Sequence, residues 1–296
     1  MDRPKHPAAR WWVDLNETRP VLRVPVKLLM FLVVVLLVLY PKPHLLMRVV
    51  HRLRHLHGLI EPNAPALAEL DRRFRTDLPA GLSAREVQKR VEAFVHKTIP
   101  YDWDWNTWGV AVYIPTVAEV LDKGREDCDG RAVLAASLLR RLGQKASLVT
   151  DIRHMWVAVG KDELMRPGGP KSAVSTPTGT RVDWRTLRNV PRSLAFGAAV
   201  FPLVRELILI AAAVALLWHP RTGPRWLVAG AVLLLIGLAF LRLGVHVAPD
   251  LTGFTERPWA SWLGLIHGLV GLGCLWWVAR RARGNGSRPM PPASTG

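Results

Sequence analysis

The chain has 296 residues, half of them apolar, and carries 40 Lys and Arg against 23 Asp and Glu, a formal net charge of +17 at pH 7. That length holds one ordinary domain plus further segments, and two cysteines, Cys128 and Cys274, exclude a disulfide framework. So basic a soluble protein would suit nucleic acid, but long apolar runs put a membrane surface in that place, and no nucleic-acid partner is expected.

Residues 1–20 form a basic tail with Arg3, Lys5, Arg10 and Arg19. Residues 21–40 follow as an apolar run that reaches about 30 Å as a helix, the thickness of a hydrocarbon core. Arg23 and Lys27 lie near one end, where long side chains snorkel. A cleaved signal peptide competes with this reading, but Leu39-Tyr40-Pro41-Lys42-Pro43-His44 offers no small-residue cleavage site, so an uncleaved anchor is expected. Residues 43–60 read as a basic amphipathic helix, with Leu46, Val49, Val50, Leu53, Leu56 and Ile60 at helical spacing, lying on the bilayer surface. His51 and His55 fit a solvated face better than a metal pair, because no carboxylate or cysteine at suitable spacing completes a site.

Residues 41–191 are expected to form one domain. Ser83-Ala84-Arg85-Glu86 is a capping box opening a helix that buries Val87, Val91, Phe94 and Val95 and ends before Pro100. An aromatic loop, Tyr101-Asp102-Trp103-Asp104-Trp105-Asn106-Thr107-Trp108-Gly109, comes next, and residues 115–121 form a short helix broken at Lys123-Gly124. A helix from Cys128 to Leu142 stops at Gly143, and its narrow polar face marks it as central and buried. Residues 146–150 and 154–159 read as neighbouring strands. Residues 163–166 continue the sheet, and 168–180, rich in Gly, Pro, Ser and Thr, read as a loop.

Three more spans are expected at about 199–218, 226–245 and 259–279, with Trp218, Trp226, Trp259, Trp262, Trp276 and Trp277 at or beside segment ends as an aromatic belt. Basic residues mark the tail before the first span, the loop with Arg221 and Arg225, and the tail 280–296 with Arg280, Arg281, Arg283 and Arg288. The positive-inside rule then puts both termini in the cytoplasm and the domain holding Cys128 outside the cytoplasmic membrane. Arg205 and Glu206 are expected to pair at the interface, with a functional intramembrane pair as the alternative. His267 reads as an interhelical hydrogen-bond partner rather than a proton relay.

The chemistry centres on Cys128. It stands at a helix start, where partial positive charge and free N–H groups stabilise a thiolate, and His154 on a following strand can take its proton and return it to a leaving group. Each residue alone is ordinary; the order and flanks favour catalysis. Ile99-Pro100-Tyr101-Asp102-Trp103-Asp104, Trp108-Gly109-Val110, Tyr113-Ile114-Pro115-Thr116-Val117-Ala118-Glu119-Val120-Leu121 and Gly124-Arg125-Glu126-Asp127-Cys128-Asp129 are similar to the bacterial transglutaminase-like cysteine proteases. The resemblance covers residues 83–159. It implies an α+β transglutaminase-like domain with a papain-like core, inserted in an α-helical membrane protein with four transmembrane helices.

By that resemblance Cys128 is the nucleophile and His154 the general base and acid. The acid that orients the histidine follows on the next strand in the family, often before a proline, and here that place reads Leu164-Met165-Arg166-Pro167. Asp183 is the chosen third member, returned by a long hairpin, and Asp162 the alternative. Trp105 and Trp108 of the aromatic loop would line the substrate cleft. A side chain or the Cys128 N–H would supply the oxyanion hole. No cofactor is required; calcium is the one cation the resemblance allows, through Asp127 and Asp129 with Asp102 and Asp104 upstream. Asp127 as a plain helix cap is the competing reading. The expected partners are the lipid bilayer and a peptide or protein substrate at the outer membrane surface, attacked by an acyl-thioenzyme that water resolves. The alternatives are acyl transfer to an amine, and a non-catalytic scaffold that holds a partner membrane protein.

Overall fold

The computed structural model describes residues 6–151, 153–165, 171–219, 222–247 and 254–284. In chain order the elements are α1 (Pro7–Glu17), α2 (Pro20–Leu39), α3 (Pro43–Arg54), α4 (Pro65–Thr76), α5 (Ala84–Thr98), α6 (Asp104–Thr107), α7 (Val117–Lys123) and α8 (Cys128–Arg141). Then come β1 (Ala146–Thr150), β2 (Met155–Val159), β3 (Asp162–Leu164), β4 (Ala173–Thr176), β5 (Gly179–Val182), α9 (Val190–Val200), α10 (Leu203–Leu217), α11 (Pro224–Leu243), the short strands β6 (Val245–Val247) and β7 (Phe254–Glu256), and α12 (Pro258–Gly284). They group into two compact units: Leu39–Gly197 with Val247–Phe254, and Met1–Val38 with Ala198–His246 and Thr255–Gly296.

The first of these is built around α8. From Ala132 to Ala136 and at Leu138 and Leu139 it is fully buried, because it is apolar on nearly every face and is covered by β1 and β2 as well as by α5 and α7. Each leucine-sized side chain so buried contributes roughly 1.5–3 kcal/mol. Both covering helices start with a reciprocal capping box, Ser83 with Glu86 for α5 and Thr116 with Glu119 for α7, and α7 stops at Gly124, whose φ of 63° suits a residue without a side chain. Helix α4, which sequence periodicity had not marked, buries Leu67, Leu70 and Phe74, while its Asp71 accepts from Arg75 and from Arg141 of α8 at 2.8 and 2.9 Å.

The sheet is antiparallel with order β3-β2-β1-β4-β5. Its register pairs Met155 with Thr150, Thr150 with Ala173, and Ala173 with Val182, so these four residues form one row across four strands. The expectation of a loop over 168–180 is corrected by β4 and β5. Thr176-Pro177-Thr178-Gly179 is the turn of a hairpin whose β-branched residues pair well, and Ser175 Oγ accepts the Leu148 N–H at 2.7 Å. Residues 166–170 lie outside the described ones.

The helix expected over 43–60 ends at Arg54 and continues as a 3-10 turn, Leu56–Leu59. One face of α3, Leu45 and Val49, packs on Val110 and Tyr113, and Arg52 donates to Glu119 at 2.8 Å. Its apolar residues are therefore divided: Val50, Leu53 and Met47 stay exposed, and only that outer side is left for a lipid surface.

In the other unit, Pro20–Leu39, Pro224–Leu243 and Pro258–Arg283 are long and apolar enough to cross a membrane. The span expected over 199–218 is not one helix. It breaks at Phe201-Pro202, and α10, with 15 residues, is about 22 Å long. Arg242 of α11 donates to the Phe201 carbonyl at the break (2.8 Å) and to Glu206 (2.7 Å), satisfying polar groups that hydrocarbon cannot. Glu206 thus pairs with Arg242 rather than with its neighbour Arg205. Lys27 donates to the Leu216 carbonyl at 2.7 Å, and Arg205 to the Val38 carbonyl at 3.5 Å, which clamps α2 and α10 antiparallel at both ends. Helices α11 and α12 close on a glycine seam: a Cβ on Gly237 would sit 2.9 Å from the Gly264 carbonyl oxygen.

Candidate active site

Cys128 is the first residue of α8, and Asp127 caps that helix by accepting the Asp129 N–H at 2.9 Å. Glu126, fully buried, accepts from the Trp108 indole N–H and from the Asp127 N–H, the latter at 3.1 Å. Its side chain lies directly over Gly130, where an added Cβ would be 2.5 Å from the Glu126 Cγ, so the glycine is what admits the carboxylate. Asp104, at the start of α6 and 2% exposed, accepts the Tyr113 N–H at 2.6 Å through Oδ2, while Oδ1 accepts from no described donor. Oxygens of Asp104, Glu126 and Asp127 lie within 4.8 Å of one another, and a second such group joins Asp127, Cys128 and Asp129.

So many acids in so little water hold on to their protons. Burial, then the neighbouring Asp127, pushes Glu126 up to about 8 against the pull of the Trp108 and Asp127 N–H groups. Burial and the other acids likewise raise Asp104, Asp127 and Asp129. The Cys128 thiol is pushed up by burial first and by Asp127 and Asp129 next, and the Met155 N–H acts against them. Asp129 Oδ1 accepts the thiol proton at 3.5 Å, a second reason for the neutral form to persist.

Strand β2 packs on α8, and His154 is the residue just before that strand. His154 ends the β1–β2 connection. Its ring meets Phe196 of α9 edge-on at 5.7 Å, and Arg153 lies over the same phenyl ring. On the other flank Tyr101, Trp103 and Trp105 form an aromatic row, Trp103 and Trp105 stacked at 4.7 Å and Tyr101 edge-on to Trp103 at 5.3 Å. Tyr101 is close enough to feel a charge on Cys128. Trp108 packs against Tyr113 at 4.3 Å with its N–H on Glu126.

The two acids named as third member are not brought to His154. Asp183 is exposed, follows β5 and caps the next turn by accepting the Arg185 N–H at 3.0 Å. Three strand spacings separate β5 from β2, about 14 Å. Asp162 sits opposite Val159, at the far end of β2, about 16 Å along the strand, and faces Arg85 at 4.0 Å. The family position at Arg166 lies outside the described residues. Asp102 turns to Arg125 at 3.1 Å. The residues that sequence reasoning passed over are Glu126, Asp151 and Phe196; the glycine four places after Glu126 was the legible sign of the first.

No family model, curated protein or solved structure matches the chain. Fold and site define a class only: a mostly helical chain with helices of membrane-crossing length and a unit in which a small antiparallel sheet presents a histidine turn to a cysteine-led helix.

Proposed function

We propose that the chain is a membrane-anchored cysteine peptidase or amidase of transglutaminase-like type. The observation that carries this reading is the packing of β2, which begins one residue after His154, on α8, which begins at Cys128. In the reaction His154 takes the thiol proton and the sulfur attacks a substrate carbonyl carbon. The C–N bond breaks, and the amine leaves with the proton from His154. Water then adds to the thioester, giving its proton back through His154, and the acid departs as the thiol is restored. The row Tyr101, Trp103 and Trp105 would flank the peptide.

A cation fits the acids beside the nucleophile. The Asp104 oxygen without a donor and the facing Asp127 carboxyl need a proton or a positive ion between them, and hard oxygen donors suit calcium. Asp104, Glu126 and Asp127 would hold it, with Asp129 on the cysteine side. A bound dication would supply positive charge where the thiolate forms.

The test is capture of the acyl-enzyme. With a labelled acyl donor, a transient thioester on Cys128 resolved by water is expected; preferential incorporation of a labelled amine would replace hydrolysis by cross-linking. A thiol held neutral by burial and acids favours a second reading, a scaffold that keeps the fold to hold a partner membrane protein, and failure of any donor to acylate Cys128 would select it.

For topology, we take the bent pair around Phe201-Pro202 as one crossing, giving four, with both termini cytoplasmic and the Cys128 unit outside. A reporter after Gly296 is expected to be cytoplasmic, and an impermeant thiol reagent to reach Cys128 in intact cells. A reporter on the far side would reduce the crossings to three.

A further inference from the structure

We propose that Asp151 is the positioning residue that fixes His154 against the cysteine helix, an inference that rests on the hydrolase reading above. Asp151, Arg153 and His154 lie between the paired Thr150 and Met155. The Asp151 Oδ1 accepts the N–H of Arg153 at 2.6 Å and of His154 at 2.7 Å. The Asp151 N–H donates to the His154 carbonyl at 2.9 Å, and the Thr150 hydroxyl lies between that carbonyl at 3.0 Å and the Asp151 carbonyl at 2.6 Å. Both backbone polar groups of His154 are thereby tied to Asp151 or its neighbour, which sets the direction in which its side chain leaves the turn. Both strands that flank this turn, β1 and β2, pack on α8, which Cys128 opens. Asp151 does for the backbone what Asp183 and Asp162, each several residues or strands away, do not do for the ring.

An oxygen acceptor is what this role needs, and a negative charge is not. Full-length protein in nanodiscs is treated with iodoacetamide and, separately, with diethyl pyrocarbonate, and the Cys128 and His154 peptides are followed by mass spectrometry. Asp151→Ala is expected to slow Cys128 alkylation by about tenfold or more, as misplacement of a paired base does, and to speed His154 modification by about threefold. Asp151→Asn, whose amide oxygen accepts the same two N–H groups, is expected to keep both rates within about twofold of wild type. If Asp151→Ala does not fold, Asp151→Asn alone decides. An unchanged His154 rate in a folded Asp151→Ala, or an Asp151→Asn far from wild type, would overturn the proposal. His154→Ala separates it from the underlying reading: Cys128 alkylation indifferent to that change sinks the hydrolase, while the His154 modification rates still judge Asp151.

Discussion

His154→Ala is expected to cut acyl turnover by up to about 10⁶-fold, the cost of removing one member of a nucleophile–base pair, and Cys128→Ala to abolish it. The reason is visible in the surroundings of the thiol. Burial and two flanking carboxylates hold its proton, so the helix start and the Met155 N–H do not suffice to ionise it, and a base must take the proton as the bond to carbon forms. Asp129→Asn should move the small-molecule reactivity of Cys128 in the opposite direction. It removes the acceptor of the thiol hydrogen bond and a group whose ionisation opposes that of the thiol. One unit of lowered thiol pKa gives about tenfold more thiolate at neutral pH, of which weaker intrinsic nucleophilicity returns about a factor of three, so alkylation should rise about threefold per unit. Rates of iodoacetamide modification across pH check this. A slower Asp129→Asn thiol would mean that the carboxylate takes the proton itself, and a His154→Ala enzyme with full turnover would end the hydrolase reading.

What sequence made legible was whatever local pattern dictates. The capping box at Ser83, the apolar stretch of α8, the stop at Gly124 and the strand at 146–150 each follow from neighbours within a turn or two of chain, and each stands where spacing put it. Position across a sheet is another matter. Asp183 follows β5, and only the order β3-β2-β1-β4-β5 reveals that two further strands lie between it and β2. A Ser/Thr-rich stretch between glycines reads as a loop until Val149 and Val174 are seen to pair. Asp151 was masked by its ordinariness: an aspartate in a short turn is expected, and its bearing on chemistry comes from the histidine that the turn carries. The break at Phe201-Pro202 was open to inspection, since proline cannot donate within a helix, but the apolar run on either side outweighed it.

The acids behind the nucleophile should make the fold lose stability as pH rises. Glu126 titrates near 8 in the folded chain against an ordinary 4.5, so between those values the folded state binds a proton that the unfolded state has released. Its contribution is whole below about pH 4.5 and vanishes as pH passes about 8. Asp104 and Asp127 are shifted the same way and add the same sign. One such group is worth up to about 1.4 kcal/mol for each pH unit crossed, about 4 kcal/mol over three units, and a unit of this size loses about 2–4 °C of Tm per kcal/mol, so a fall of about 8–17 °C between pH 5 and pH 8 is expected without added metal. Glu126→Gln should flatten that slope, because the amide oxygen still receives the Trp108 N–H while nothing remains to titrate. Calcium discriminates a shared proton from a cation between the carboxyls. At pH 8, where the protons leave, an ion present at a hundred times its Kd restores about 2.7 kcal/mol, whereas at pH 5 the protons compete and the gain should be small. Gly130→Ala, which forces Glu126 from its place, should abolish the calcium response. Thermal midpoints from tryptophan fluorescence, read at both pH values with calcium or chelator, decide the matter: a midpoint flat with pH would remove the strained acids, and a pH slope with no calcium response would leave a shared proton as the occupant.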